Sequence, residues 1–168
     1  MGMDPDRFLE AFVQGNLWDC RDDSGDLRRA FNAAVSASHL ADVYYEYNKH
    51  HNPAAVSSYP RLSDFVEHLA NATLGDFRDL RSISNAYKHL YTASYLQVHS
   101  TVLSGGALES VRIEAADVGV DQLEAAYEEE TAGEGGRMVV RFTRKDGSTA
   151  EFLPVLESFF EYWCRTYG

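Results

Sequence analysis

From Asp26 to Asn48 the chain runs without a proline or a glycine and is dense in Ala, Leu and aromatic residues. Such a stretch predicts a long helix. Leu27, Phe31, Ala34, Ala41 and Tyr45 form its apolar stripe, and Ala30, Ala37, Leu40 and Tyr44 widen that stripe around much of the circumference. A helix apolar on most sides has to be enclosed by other elements, so the rest of the fold must be built around this one. The polar run Asp22-Asp23-Ser24-Gly25-Asp26 just before it supplies a cap region.

Three more helices are predicted beside it. Phe8, Leu9, Phe12 and Val13 keep helical spacing in residues 5–18, with Trp18 closing that segment against the core. Residues 49–60, holding two prolines and His50-His51-Asn52, read as a loop, and Pro60 opens a helix on which Leu62, Phe65, Val66 and Leu69 make an ordinary core face. Thr73 and Asp76 resemble a capping box for a fourth helix over about 75–93, its apolar side formed by Phe77, Leu80, Ile83, Tyr87 and Leu90.

Past Ser104-Gly105-Gly106 the period changes from helical to alternating. Val111-Arg112-Ile113-Glu114 and Met138-Val139-Val140-Arg141-Phe142-Thr143 read as strands, Lys145-Asp146-Gly147-Ser148 as a hairpin turn with positive φ angles, and Thr149 to Leu153 as the returning strand. Residues 120–136 read either as strand or as a solvated acidic, Gly-rich tip. Pro154 suits the first position of a last helix that docks Leu156, Phe159, Phe160 and Trp163. The fold class expected is α+β: an N-terminal four-helix bundle over residues 1–98, then an antiparallel meander of three or four strands and a C-terminal helix over 99–168, the two packed as one unit.

With 26 acidic against 15 basic side chains among 168 residues, the net charge is -11, which repels a phosphate backbone at long range and excludes bulk DNA binding. The excess is uneven: nine basic and 13 acidic residues precede residue 100, and six and 13 follow. The helical half therefore leaves room for a local basic patch that binds RNA or a nucleotide. Cys20 and Cys164 are the only cysteines, which indicates neither a disulfide framework nor a zinc ribbon. No apolar run reaches the length of a membrane span, and the acidic start lacks the apolar region of a leader, so a soluble, cytoplasmic chain is expected.

Two polar lines could carry chemistry. Arg28, Asn32, Ser36, His39, Asp42 and Glu46 follow one another at helical spacing on the long helix, and Arg78, Arg81, Asn85, His89 and Thr92, flanked by Ser82 and Lys88, do so on the fourth. Packed side by side, the two helices would bring His39 and Asp42 near Asn85 and His89. An imidazole held by a carboxylate can serve as a general base, and a neighbouring guanidinium can stabilise developing charge. Equally, a contact such as Asp42 with Arg81 can pin two helices together with no chemistry at all. His39, Asp42, Arg78 and Lys88 are the binding candidates. His50-His51 lacks a third metal ligand at a recognisable spacing, and a centre made by His39, Asp42 and His89 would need three lone pairs aimed at one point. Neither glycine cluster matches a phosphate-binding loop. No metal and no cofactor is expected.

The segment Arg81-Ser82-Ile83-Ser84-Asn85-Ala86-Tyr87-Lys88-His89-Leu90 resembles the signature helix of HEPN-type domains, whose motif runs Arg-polar-x-x-x-His. Asn85 and His89 fit its polar and His positions. Ser84 stands in the Arg position, with Arg81 one turn upstream on the same stripe and seven residues between it and His89. The resemblance covers residues 5–95 and implies a helical bundle. For an active member it implies metal-independent RNA cleavage at a site shared by two protomers, with His89 as acid or base, Arg81 at the phosphate and Asn85 orienting substrate. For a catalytically silent member it implies a nucleotide-binding or protein-interaction module. The function expected is a noncatalytic binding or regulatory module that associates with itself or with another protein; the alternative is the endoribonuclease.

Overall fold

A computed structural model of the protein describes residues 3–88, 100–102, 105–114 and 136–168. The helix predicted around residues 26–48 spans Leu27–His51 (α3), so His50 and His51 lie in its last turn rather than in a loop. Asp26 caps it, the carboxylate accepting from the amides of Arg28 (2.7 Å) and Arg29 (3.3 Å). Those two bonds hold the carboxyl below its ordinary range although desolvation pushes it up. Burial of Ala30, Ala33, Ala34, Ala37, Leu40 and Ala41 lets neighbouring elements approach the backbone closely.

The first predicted helix is a composite. Pro5–Phe8 (α1) passes into a π-helical turn over Leu9–Gln14 and then into Gly15–Asp22 (α2). A π turn holds more residues per turn than the α-helix, so it rotates everything downstream out of the expected register. The core thus receives Val13, Leu17 and Cys20, while Trp18, expected to close on the core, stands 55% exposed.

Leu62–Ala72 (α4) begins two residues after Pro60, not at it. Asp64 starts it: its carboxylate accepts from the Arg61 amide (3.1 Å) and from the Arg61 guanidinium at Nε (3.2 Å) and Nη2 (2.8 Å). Residues 73–75 then reverse the chain through positive φ at Leu74 (52°) and Gly75 (104°). The Thr73 hydroxyl donates to the Leu69 carbonyl and accepts from the Phe77 amide, tying the end of α4 to the start of Asp76–Lys88 (α5). Phe77, Leu80 and Ile83 are fully buried, but Tyr87 is 57% exposed and stacks on Phe31 of α3 instead of entering the core. Leu90 and the predicted end of this helix lie outside the described residues.

Leu108–Glu114 (β1), Gly136–Thr143 (β2) and Thr149–Glu151 (β3) form an antiparallel sheet in the order β1-β2-β3. Val111 faces Val139 across the first pair, and Phe142 faces Ala150 across the second. The hairpin turn takes positive φ only at Gly147 (84°), with its amide bonded back to the Arg144 carbonyl (3.0 Å), so Asp146 does not adopt the positive φ expected of it. Its carboxylate instead accepts from the amide and hydroxyl of Ser148. Beyond the end of β3, the other edge of β2 is covered by the α2–α3 loop. The Val140 amide donates to the Ser24 carbonyl (2.7 Å), and the Ser24 hydroxyl donates to the Met138 carbonyl (2.7 Å). Residues 115–135, which include all of the ambiguous segment except Gly136, the first residue of β2, lie outside the described residues.

Phe152–Tyr167 (α6) closes the fold, starting two residues before Pro154 and so cutting short the predicted return strand. Its Phe152, Leu156, Phe159 and Trp163 are buried in one cluster with Leu40 of α3, Phe65 of α4, Phe77 of α5 and Phe142 of β2. The architecture is α+β, with helices and sheet sharing a core. Tyr44 of α3 meets Phe65, Trp163 and Tyr167 at ring distances of 5.5, 5.4 and 4.9 Å, so the tyrosine run of α3 is core and rim filling.

Candidate functional site

A cleft of about 530 Å³ opens between α4 and α5. From α4 and the residue before it come Arg61, Ser63, Asp64 and Glu67 along with Leu62, Val66 and Ala70; from α5 come Arg78, Arg81, Ser82 and Asn85. Leu62 and Val66, read from sequence as core, are half-buried and line this cleft.

Each guanidinium in the cleft has a carboxylate partner. Arg61 binds Asp64 (2.8 Å) and Arg78 binds Glu67 (2.8 Å), and Arg81 reaches across to Asp42 of α3 (3.1 Å). The Arg61 hydrogen bonds and charge hold the Asp64 carboxyl below its ordinary range. Arg81 Nη1 also approaches the carbonyl and hydroxyl of Ser38 at 3.4 Å. This is the helix-pinning contact the sequence allowed: Asp42 meets α5, and does so through Arg81.

The end of the cleft is fixed by a buried lock. The Asp79 carboxylate accepts from Arg144 at Nε (2.8 Å) and Nη2 (2.5 Å) and from the Thr101 hydroxyl (2.6 Å). Thr101 in turn donates its amide to the Ser82 hydroxyl (2.9 Å), which itself donates to the Arg78 carbonyl (2.6 Å). The Lys145 amide bonds to the Thr101 carbonyl (2.9 Å). The β2–β3 turn thus clasps residues 100–102 against α5, and Ser100 forms part of the cleft wall. Pairing with Asp79 strengthens the hold of Arg144 on its proton.

Of the residues expected to act, Arg78, Arg81 and Asn85 open into one cleft, and Asp42 stands behind it holding Arg81. His39 is half-buried on α3 and is not part of the cleft lining. His89 lies outside the described residues, as does the side chain of Lys88. Ser84, which occupies the Arg position of the HEPN pattern, is fully buried, and its hydroxyl has no hydrogen-bond partner among the described residues. Among the described residues no cluster of His, Cys, Asp and Glu could hold a metal ion, and no helix is long and apolar enough to cross a membrane. His51 packs its ring on Tyr47 at 4.4 Å.

Arg61, Asp64 and Glu67 are cleft residues that the sequence reading does not single out. The signal that finds them is their i, i+3, i+6 spacing, which puts three charges on one side of α4, beside the apolar stripe. Asp79 and Arg144 carry no comparable signal, because 65 positions separate them. Compared with protein-family models, curated proteins and solved structures, the chain matches none.

Proposed function

We propose that the chain is a noncatalytic binding or regulatory module, HEPN-like in its helical half, with the α4–α5 cleft as its binding site. One observation carries the reading: Arg81 is anchored to Asp42 and Ser38 of α3. A cation that stabilises a transition state has to be aimed at the reacting group. Arg81 is built into a helix contact instead, and Ser84, at the motif's Arg position, is sealed in the interior. The acidic total and the mixed charge of the cleft agree with a small ligand or a protein partner better than with a polyanion.

The second reading is a metal-independent endoribonuclease in which His89 is acid or base, Arg81 meets the phosphate and Asn85 orients the substrate. It draws on the opening of Arg81 and Asn85, one turn apart, into the same cleft. The test is incubation of the purified protein in EDTA with a mixed pool of labelled structured and single-stranded RNAs, beside His89→Ala and Arg81→Ala. Absence of cleavage, or cleavage that persists in both variants, supports the binding module. Metal-free cleavage lost in both variants replaces it with the nuclease.

A further inference from the structure

The α4–α5 cleft sets charge of both signs along an apolar wall. Arg78 and Arg81 project from successive turns of α5, Asp64 and Glu67 from successive turns of α4, and Leu62, Val66 and Ala70 line the same space. The guanidinium groups keep unused donors. Arg81 bonds only through Nη1 and Arg78 only through Nη2, which leaves Nε and one amino group of each without a hydrogen bond among the described residues. The Arg78–Glu67 pair is open to solvent, 38% and 60% exposed, so a ligand can part it at little cost.

What it would take to part that pair selects the ligand. An anion that captures Arg78 strands Glu67, and a cation that captures Glu67 strands Arg78. A molecule bearing both charges replaces the internal pair with two pairs of its own. The charged pairs at the cleft also balance in number, since Arg61, Arg78 and Arg81 are matched by Asp64, Glu67 and Asp42.

We infer that the cleft binds a small zwitterion with an apolar side group, the class of the free α-amino acids: its carboxylate between Arg78 and Arg81, its ammonium at Glu67, its side group on Leu62, Val66 and Ala70. The inference rests on the binding-module reading and gives that module a ligand class. The cleft volume of about 530 Å³ falls in the range of small-molecule sites.

The test titrates the ¹⁵N-labelled full chain with L-phenylalanine, 3-phenylpropionate and phenethylamine, which share a ring and differ in charge. Amide resonances of residues 62–70 and 78–85 and the Nε–H groups of Arg78 and Arg81 report occupancy. Phenylalanine should shift them saturably, with each singly charged probe at least about tenfold weaker, as expected for loss of one charge-assisted contact. Arg78→Gln should lower phenylalanine to the level of phenethylamine, and Glu67→Gln to that of 3-phenylpropionate. Both side chains are at the surface, and unchanged amides elsewhere establish that each variant folds. Equal binding of either singly charged probe overturns the zwitterion while leaving a binding module. No shift with any of the three overturns the zwitterion as well, and the module reading is then judged by the RNA assay, which does not depend on these probes.

Discussion

Replacing Arg144 with methionine removes the partner of the most deeply buried carboxylate described. The Asp79 side chain is 3% exposed and that of Arg144 is 26% exposed, so the carboxylate cannot turn to water when its guanidinium is taken away. Among the hydrogen bonds of the described residues, that from the Thr101 hydroxyl would remain to it. Breaking a buried pair from one side costs about 3 to 5 kcal/mol, because a charge is left in the interior uncompensated. Methionine keeps an unbranched apolar stem over the Phe142 ring, where the guanidinium now sits 5.1 Å from the centroid, so lost packing adds little. For a chain of this size, where 1 kcal/mol moves Tm by about 2 to 4 °C, the variant should melt roughly 6 to 20 °C lower.

The double variant Asp79→Leu/Arg144→Met removes both charges and should recover most of that loss, to within about 2 kcal/mol of the parent. Urea unfolding at constant slope measures both variants, and Asp79→Leu alone closes the cycle. The site responds too: since Asp79 and Thr101 hold residues 100–102 to α5, amides of Ser82 and Ser100 at the cleft should shift in Arg144→Met while those of α2 stay in place. A single variant that loses less than about 1 kcal/mol, or a double variant no better than the single, would refute a desolvated lock.

Three further outcomes follow from local environments. Burial pushes the Cys20 thiol up to about 12, so a disulfide reagent at neutral pH should modify Cys164 alone in the folded chain and both thiols in urea. Gly147→Ala meets no atom within 4 Å but inherits φ of 84°, so it should destabilise by about 1 kcal/mol through backbone strain alone, measured by thermal melting. Desolvation raises the Asp76 carboxyl above its ordinary range, against a hydrogen bond from Ser158 and assisted by the Asp79 charge. A pKa higher in the folded than in the unfolded state stabilises below the unfolded value and is lost as pH rises through the folded one. The stability of the parent relative to Asp76→Asn should therefore fall as pH rises past the ordinary aspartate value of about 3.9 in paired urea titrations.

The elements that periodicity could fix are those whose register depends on their own residues. α3 is an uninterrupted run with an aspartate cap, and a tertiary partner adds nothing to its definition. The sheet is legible for a similar reason, since alternation and a glycine at the turn specify it locally, whereas the positive φ expected at Asp146 gives way to an Asx turn that satisfies Ser148. Trp18 fails because the π turn before it is a backbone rearrangement with no side-chain signature. A 3.6-residue template carried through Leu9–Gln14 rotates the following turn, and Leu17 takes the buried place.

The cleft divides along the same line. The stripe Arg78, Arg81, Asn85 is a property of one helix, so the sequence contains it. Whether Arg81 faces a substrate or a carboxylate is a property of the α3–α5 crossing, and that depends on how small residues such as Ala34, Ala37 and Ala41 let the helices approach. The two polar stripes already offer Asp42, 39 positions earlier, as a partner for Arg81, but spacing along the chain does not choose between that carboxylate and a substrate. The same holds for the opposite wall, where Leu62 and Val66 keep core-like spacing but are half-buried and line the cleft. A motif read along one helix can locate charged groups, but the helix opposite decides what those groups can do. Here α3 supplies Asp42 to Arg81 and α4 supplies Glu67 to Arg78, while Arg61 pairs with Asp64 of its own helix, an arrangement in keeping with the binding role proposed above.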